Sequence, residues 1–418
     1  MKDHQFSPES LMMSHGYNHE LSEGAIKCPI FQTSTFAFKT AEEGKAFFEV
    51  AYGLRAKEEK EELGLIYSRI NNPDLEVLEN RLCLWDGAED CAVFSSGMSA
   101  ISTVLMEFTK PGDVLLYCLP IYGGTDHFIK HILTKYQVEI IPYSSYDSKE
   151  DIINRLEASG KADKLTFIYV ETPANPTNKL IDLKICKDIA NTYSTKEKPV
   201  YMAVDNTYMG PLWSHPLKHG ADIVMYSATK YIGGHSDLIA GAVLGSTEVM
   251  ARVKALRTFL GNMATPYVSW LMMRSLETLK IRMDQQALNA AALAQFLQQH
   301  EKVEKVYYLG FLEEEDPKEY EIFKNNGYTS AGAMISVLVK GGEKEAFALL
   351  NHLKLAKLAV SLGSTETLVQ HPASMTHAGV DPEEKKQFGI TDNLIRVSVG
   401  VENAKDLIYD FEIGLAAI

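Results

Sequence analysis

The chain has 418 residues, 46% of them hydrophobic and 23% charged, which is the balance of a soluble globular protein of about two or three domains. The formal net charge is −14 and Lys and Arg form no basic block, which argues against nucleic acid or an anionic membrane surface as partner. Five cysteines without zinc spacing predict no metal site and a reducing, cytoplasmic location. No apolar run approaches the roughly 18 residues of a membrane helix.

The N-terminal 72 residues are predicted to form an arm. Residues 31–38 alternate as a strand or an extended segment does. From 41 to 63 the apolar spacing predicts a helix, and its charged run at 58–62 indicates a solvated face. Polar residues 66–73 then predict a loop, and an amphipathic helix is expected over 74–82.

Strands and helices alternate in the next part of the chain. Strands separated by helical segments predict an α/β fold with a mainly parallel central sheet and helices on both faces. We assign this sheet to a domain over residues 73–265. The predicted strands cover residues 91–94, 113–118, 138–143, 165–170, 200–204 and 223–226.

The pattern changes after about residue 263. A long helix is predicted over 269–300, followed by strands over 334–339, 359–362 and 394–399. These elements predict a smaller α+β domain over residues 266–418.

The residues directly after the buried strand 223–226 carry the strongest chemical signal. A lysine there, Lys230, is partly removed from water, which lowers its pKa and frees the neutral amine to attack a carbonyl, as a Schiff-base lysine must. Ser227 and Thr229 alternate on the predicted strand and should point the same way, toward one anion such as a phosphate. Taken alone, these residues are also compatible with a surface lysine at a strand end.

Other polar and small residues follow the remaining strands. Ligands bind at the carboxyl ends of the strands in a parallel sheet. Those ends carry Gly97, Tyr122, Asn175, Asp205 and Lys230. Small residues that open the helix at Gly97 expose backbone N–H groups, which suits a phosphate. This convergence favours a cofactor lysine over a surface lysine.

The residue types suit pyridoxal 5′-phosphate. Asp205 could pair with the pyridinium nitrogen and keep it protonated, which makes the ring a better electron sink. Tyr122 could stack on the ring, and Arg396 could bind a substrate carboxylate with two parallel hydrogen bonds. The alternatives are a helix cap for Asp205, a core aromatic for Tyr122 and a structural ion pair for Arg396.

Residues 227–231 (SATKY) with 234–237 (GHSD) resemble the cofactor-lysine signature of the cysteine/methionine-metabolism pyridoxal-phosphate enzymes. That family contains cystathionine γ-synthase, cystathionine γ- and β-lyases, methionine γ-lyase and O-acylhomoserine sulfhydrylase. The resemblance spans nearly the whole chain and implies the fold-type I pyridoxal-phosphate transferase fold, with the cofactor in the domain over 73–265. It also implies a cytoplasmic homotetramer built from two dimers.

The resemblance implies a role for each matching residue. Lys230 and Tyr122 would be catalytic, and Asn175, Ser361 and Arg396 would contact the substrate. The residues implied to hold the cofactor are Gly97, Met98, Tyr122, Asn175, Asp205, Ser227, Thr229 and Lys230, with Tyr67 and Arg69 reaching the phosphate in a neighbouring subunit.

The implied activity is carbon–sulfur bond cleavage by γ- or β-elimination on a small sulfur amino acid, giving a 2-oxo acid, ammonia and a thiol. Val360 resembles methionine γ-lyases, whereas Gly124 stands where those enzymes typically have a cysteine. Residues 48–65 are interpreted as a helical insertion of unknown role. A γ-replacement on an activated homoserine is the alternative activity, and a non-catalytic cofactor-binding regulator is the alternative class.

Overall fold

The computed structural model describes residues 4–58, 61 and 63–418. Within that part of the chain, no helix has the length and apolar character needed to span a membrane. The strands are β1 (Asp90–Phe94), β2 (Val114–Leu119), β3 (Glu139–Ser144), β4 (Leu165–Glu171), β5 (Tyr201–Asp205), β6 (Ile223–Tyr226), β7 (Gly241–Gly245), β8 (Val303–Tyr307), β9 (Met334–Val339), β10 (Lys357–Leu358), β11 (Leu368–Gln370) and β12 (Leu394–Ser398).

Helices connect these strands and cover the sheets. The α-helices are α1 (Pro8–Leu11), α2 (Ala41–Ala51), α3 (Pro73–Asp86), α4 (Gly97–Phe108), α5 (Gly123–His131), α6 (Lys149–Ala158), α7 (Leu183–Tyr193), α8 (Gly210–Trp213), α9 (Thr247–Leu260), α10 (Pro266–Leu276), α11 (Leu279–Gln299), α12 (Leu312–Glu315), α13 (Pro317–Asn325), α14 (Glu343–His352), α15 (Pro382–Gln387) and α16 (Ala404–Ala416). Short 3₁₀ helices cover His19–Ser22, Leu133–Tyr136, Ala162–Lys164, Pro216–His219, Leu309–Phe311 and Pro372–Ser374.

The first sheet has seven strands in the order β1-β7-β6-β5-β4-β2-β3. The β6–β5–β4–β2–β3 ladder is parallel, and β7 runs antiparallel to both of its neighbours. Consecutive residues of β1, β6 and β7 are buried, so both faces of the sheet are covered. The predicted mainly parallel sheet is confirmed. Strand β7, which follows the lysine segment, was missed because only three apolar residues stand between two glycines, a pattern that also suits a loop.

The second sheet has five strands in the order β10-β11-β12-β9-β8 and is antiparallel except at β10–β11. The strands predicted over 334–339 and 394–399 are confirmed as β9 and β12. The strand predicted over 359–362 is wrong, because the local strand is β10 and Ser361 has a φ of 101°. Backbone pairing with β11 ends at Ala359, whose N–H donates to the carbonyl of Val369 at 3.0 Å, and the carbonyl of Ser361 accepts from the Arg396 side chain instead. The boundaries at 72/73 and 265/266 stay a prediction.

Two predicted helices end earlier than their apolar spacing suggests. The single helix expected over 269–300 is wrong, because α10 and α11 are separate and the carbonyl of Ser275 accepts from the Arg282 side chain at 3.0 Å. The helix expected over 41–63 ends with α2 at Ala51, since Gly53 adopts a φ of 68°. Residues 52–58 are therefore not helical, and residues 59, 60 and 62 of the charged run lie outside the described residues.

Residues 31–38 pack against the predicted loop over residues 66–73. Residues 31–38 are extended, and a backbone bridge joins Thr35 to Tyr67. The N–H of Ser68 donates to the carbonyl of Ser34 at 2.9 Å, which holds the loop to the arm.

A buried ion pair ties α3 to α9 beneath the first sheet. Arg257 Nη1 lies 2.6 Å from Glu79 Oε1, and both side chains are buried. The same Glu79 oxygen accepts from the N–H of Val93 in β1 at 3.0 Å. The pair therefore connects two helices and a strand, and removing one partner would leave the other charge buried.

We predict that Arg257→Met lowers the free energy of unfolding by about 3 kcal/mol, because the buried Glu79 carboxylate would lose its buried partner and, within the described residues, keep only Lys254, which is partly exposed and lies 3.3 Å away. Denaturant unfolding measures this directly. Arg252→Met is the matched control, since Arg252 lies on the same helix and pairs with Glu107 in a partly exposed position. The control should lose about 1 kcal/mol or less. Equal losses in the two variants would contradict the prediction.

Candidate active site

A cavity of about 270 Å³ lies at the carboxyl ends of the parallel strands. It forms where β1, β4, β5 and β6 end and the helix N-termini begin, as expected for a sheet of this topology. The predicted site residues that line it are Gly97, Met98, Tyr122, Asn175, Asp205, Ser227, Thr229 and Lys230.

One side of the cavity carries backbone N–H groups and hydroxyls, which are suited to bind an anion. Helix α4 starts at Gly97, where an added Cβ would lie 2.8 Å from Ser227 Cβ, so only glycine lets the helix N-terminus approach so closely. Ser96 caps the helix by accepting from the N–H of Ser99 at 3.0 Å. The helix dipole and its unpaired N–H groups therefore face the two hydroxyls of the lysine segment.

The expectation that Ser227 and Thr229 alternate on a strand is wrong, because β6 ends at Tyr226 and both residues lie in the turn beyond it. The turn is held by side chains: the N–H of Ser227 donates to Thr207 Oγ1 at 2.8 Å, and Thr229 Oγ1 donates to the carbonyl of Ala240 at 3.2 Å. Both residues still line the cavity.

The Lys230 side chain is largely buried in the turn. Its Nζ donates to Ser361 Oγ at 2.8 Å. Burial and, to a smaller extent, the positive charge of Arg396 together lower the pKa of Lys230 from 10.5 to about 8. About a tenth of the amine is therefore neutral and nucleophilic at pH 7, far more than for a lysine with the ordinary pKa.

Two carboxyl groups lie side by side at the ends of β4 and β5, where Glu171 pairs in register with Asp205. Asp205 accepts from the Tyr169 hydroxyl at 3.2 Å and from the N–H of Thr207 at 3.0 Å. Burial raises the pKa of both groups, to about 8 for Glu171, where the charge of Asp205 adds to the effect. Among the described residues, no cation contributes to the pKa of Asp205. A cationic ring nitrogen would supply the missing charge.

Arg396, on β12 of the second sheet, does not itself line the cavity but contacts Asn175, which does. Its guanidinium donates to Asn175 Oδ1 at 3.1 Å and to the carbonyl of Ser361 at 2.5 Å. Gln370 accepts from it as well when its amide oxygen faces the guanidinium. These partners are neutral, so a structural ion pair is not what holds Arg396 within the described residues. Its charge remains available to a carboxylate.

The structure does not bring Tyr67 and Arg69 into the cavity of the same chain. Neither residue lines it, and Arg69 instead donates to the carbonyl of Thr258 at 2.7 Å. The Tyr67 ring is 39% exposed and lies 5.7 Å from the guanidinium carbon of Arg69. Ser361 is also absent from the lining, although its hydroxyl meets Lys230.

Several lining residues were missed by sequence reasoning. Glu171 follows its strand directly, as Asp205 does, so the rule about strand ends could have found it. Thr207 and Tyr208 come just after Asp205 and carry a weaker form of the same signal. Ile239 and Leu362 are apolar residues in irregular segments, and no pattern in the sequence points to them.

The residues present fit pyridoxal 5′-phosphate. The glycine-lined helix N-terminus and two hydroxyls suit the phosphate, and the buried carboxylate of Asp205 suits the ring nitrogen. The dehydrated amine of Lys230 suits the aldehyde. All of these groups line one cavity whose size matches a small cofactor.

We predict that the amine of Lys230 in the cofactor-free chain titrates near pH 8, since its pKa is lowered to about 8. The amine reacts only when neutral, so its acylation rate should rise with pH and level off above that point. Pulse labelling at a series of pH values, with mass spectrometry of the peptides, measures the midpoint. Lys280, which is paired with Asp284 on the surface, is the internal control. A Lys230 rate that still climbs above pH 10 would contradict the prediction.

Comparison with known proteins agrees with this geometry. The model of the Cys/Met metabolism PLP-dependent enzymes matches residues 9–416. The chain is 41% identical to an L-methionine gamma-lyase of Fusobacterium nucleatum subsp. nucleatum over 94% of each chain. It is 36% identical to a cystathionine gamma-lyase of Bacillus subtilis, over 96% of this chain and 97% of that protein.

A solved structure of cystathionine gamma synthase from Xanthomonas oryzae pv. oryzae superimposes with a TM-score of 0.85 at 30% identity, covering 99% of both chains. The family model spans the arm, both sheets and the whole cavity described above. The chain therefore belongs to the Cys/Met metabolism PLP-dependent enzymes, and its cofactor is pyridoxal 5′-phosphate.

Proposed function

We propose that this enzyme is a pyridoxal-phosphate-dependent carbon–sulfur lyase of sulfur amino acid metabolism. It cleaves methionine, cystathionine or a related substrate by γ- or β-elimination and releases a 2-oxo acid, ammonia and a thiol. The observation that carries the proposal is the contact of the Lys230 amine with Ser361, the residue whose carbonyl binds Arg396. A proton-transferring amine and a carboxylate-binding guanidinium are thus joined through one residue. Relatives named methionine gamma-lyase and cystathionine gamma-lyase support it.

The residues divide the work between binding and proton transfer. The cofactor, when bound, supplies an electron sink for the charge that develops on the substrate carbons. Lys230 moves protons between those carbons, because its lowered pKa lets it both accept and donate near neutral pH. Ser361 accepts from Lys230 and keeps the amine aimed into the cavity. Tyr122, which lies at the mouth and is 46% exposed, donates a proton to the leaving sulfur.

Charged side chains hold groups of the opposite charge on the substrate and on the cofactor. Arg396, with Asn175 at 3.1 Å, binds the substrate carboxylate. Asp205 would keep the proton on the ring nitrogen, because a buried carboxylate strongly favours a nearby cation. Gly97 and Met98 at the N-terminus of α4, with Ser227 and Thr229 in the lysine turn, would hold the phosphate.

The second candidate is γ-replacement, which the solved structures named cystathionine gamma synthase support. Val360, which precedes Ser361 and is 57% exposed, resembles methionine γ-lyases and supports methionine as the substrate. Gly124 distinguishes the chain from typical methionine γ-lyases, because a Cβ there would lie 2.6 Å from the Tyr122 ring. A cysteine at this position would require the ring to move. A regulator without activity is the remote alternative.

We further propose that the active site is shared between two subunits and that two such dimers form a homotetramer in the cytoplasm. Arg69 and Tyr67 lie on a loop that does not reach the cavity of its own chain, although a guanidinium is well suited to phosphate. Their exposed position leaves them free to reach the phosphate of a neighbouring subunit.

We predict that the purified protein releases 2-oxobutanoate or pyruvate, with ammonia, from a thioether amino acid without added thiol. The panel comprises methionine, cystathionine and an O-acylhomoserine, each assayed with and without a thiol. Lys230→Ala is the control and should be inactive. Formation of a new thioether only when thiol is present would favour replacement, and no turnover by cofactor-loaded protein would favour the regulator.

We predict that mixing inactive Arg69→Ala with inactive Lys230→Ala restores activity once subunits exchange. A mixed dimer then contains one site in which Lys230 comes from the Arg69→Ala chain and Arg69 from the Lys230→Ala chain. That site has both residues intact. Exchange is verified by native mass spectrometry with one partner isotopically labelled. If both residues came from one chain, every site in the mixture would stay damaged. Proven exchange without recovery would contradict the shared site.

A further inference from the structure

The turn over residues 231–236, directly after Lys230, rests on a single buried arginine. Arg282, in the first turn of α11, is 6% exposed. Its guanidinium donates to the carbonyl of Tyr231 at 2.8 Å and to that of Ser275 at 3.0 Å. It thereby connects the lysine turn to the end of α10, where that helix breaks from α11.

The partners of Arg282 are unusual for a buried cation. Among the described residues they are backbone carbonyls and the hydroxyl of Thr278, and no carboxylate lies within 4.0 Å. Burial lowers the pKa of Arg282 to about 10. A guanidinium in this setting must keep its acceptors in place, since losing one would leave a charged donor buried and unpaired.

The backbone of the turn is shaped around this side chain. Gly234 has a φ of 67°, and a Cβ there would collide with Arg282 Nη1. The N–H of Gly234 donates to the carbonyl of Lys230 at 2.7 Å, so a shift of the turn would also move the backbone of Lys230.

The same turn contacts the segment that carries Ser361. The N–H of Thr365 donates to the carbonyl of Gly234 at 3.0 Å, and Ser236 Oγ donates to Ser364 Oγ at 2.8 Å. One turn further along α11, Gln286 Nε2 donates to the carbonyl of Ser364 at 2.8 Å. Helix α11 therefore holds the lysine turn and the Ser361 segment together.

We propose that Arg282 is a positioning residue for the reaction: by clamping the turn over 231–236 it sets the separation between the Lys230 amine and the Ser361 hydroxyl. The proposal deepens the proposed lyase function and rests on it for its kinetic part. Arg282 acts through backbone carbonyls and touches neither substrate nor cofactor. Misplacement of a reacting group by about 1 Å can cost about 100-fold in rate, so the clamp bears on proton transfer more than on binding.

The experiment compares Arg282→Lys and Arg282→Met with Lys280→Met, which removes a charge from the exposed surface of the same helix. The lysine of Arg282→Lys keeps the positive charge, but its single ammonium cannot bind the carbonyls of two segments at once as the branched guanidinium does. We expect kcat to fall about 10- to 100-fold in Arg282→Lys with little change in KM. The kcat of Arg282→Met should fall at least as far, and the kcat of Lys280→Met should equal that of the parent enzyme. If Arg282→Met does not fold, Arg282→Lys carries the test.

A second readout does not need activity. In the cofactor-free chains, the pH midpoint for acylation of Lys230 should rise from about 8 in both Arg282 variants, because a loosened turn admits water to the amine. Hydrogen exchange over residues 227–236 should quicken at the same time. A lower melting temperature with unchanged kcat, unchanged midpoint and unchanged exchange would overturn the proposal. If the parent shows no lyase activity, the lyase proposal fails, and the midpoint and exchange still decide the role of Arg282.

Discussion

The chemistry of the active site depends on keeping the amine of Lys230 out of water. Lys230 lies beyond the end of a buried strand, and burial together with the positive charge of Arg396 lowers its pKa to about 8. A fully hydrated lysine would stay protonated and could neither attack a carbonyl nor accept a proton near neutral pH. The fold maintains this condition because β6 is buried, the turn after it is bonded on both sides, and Ser361 gives the amine a single hydrogen-bond partner.

Other buried charges around the cavity are arranged for ligands that bring the opposite sign. Asp205 and Glu171 lie in register, and within the described part of the chain no cation contributes to their raised pKa values, so the pair favours a positive ring nitrogen. Arg396 is held by neutral oxygens and can still accept a carboxylate. These groups are costly to bury unpaired, and ligand binding relieves part of that cost.

Much of this was predictable from the sequence, for identifiable reasons. Strands such as β4 and β5 are uninterrupted apolar runs, and the rule that ligands bind at strand ends selects Asn175, Asp205 and Lys230 without knowledge of their contacts. The break between α10 and α11 and the irregular backbone at Ser361 were not predictable, because at each place a backbone carbonyl accepts a hydrogen bond from an arginine side chain, seven residues away in one case and 35 in the other. The spacing of apolar residues along the chain does not indicate such hydrogen bonds.

The most direct test of the account is to identify the lysine that binds the cofactor. Borohydride reduction of the cofactor-loaded enzyme makes the bond between the cofactor aldehyde and its lysine permanent, and peptide mapping by mass spectrometry then locates it. The account predicts that the label lies on Lys230, the amine that burial keeps partly neutral, and that Lys230→Ala carries no label. A label on any other lysine of the folded enzyme would contradict it.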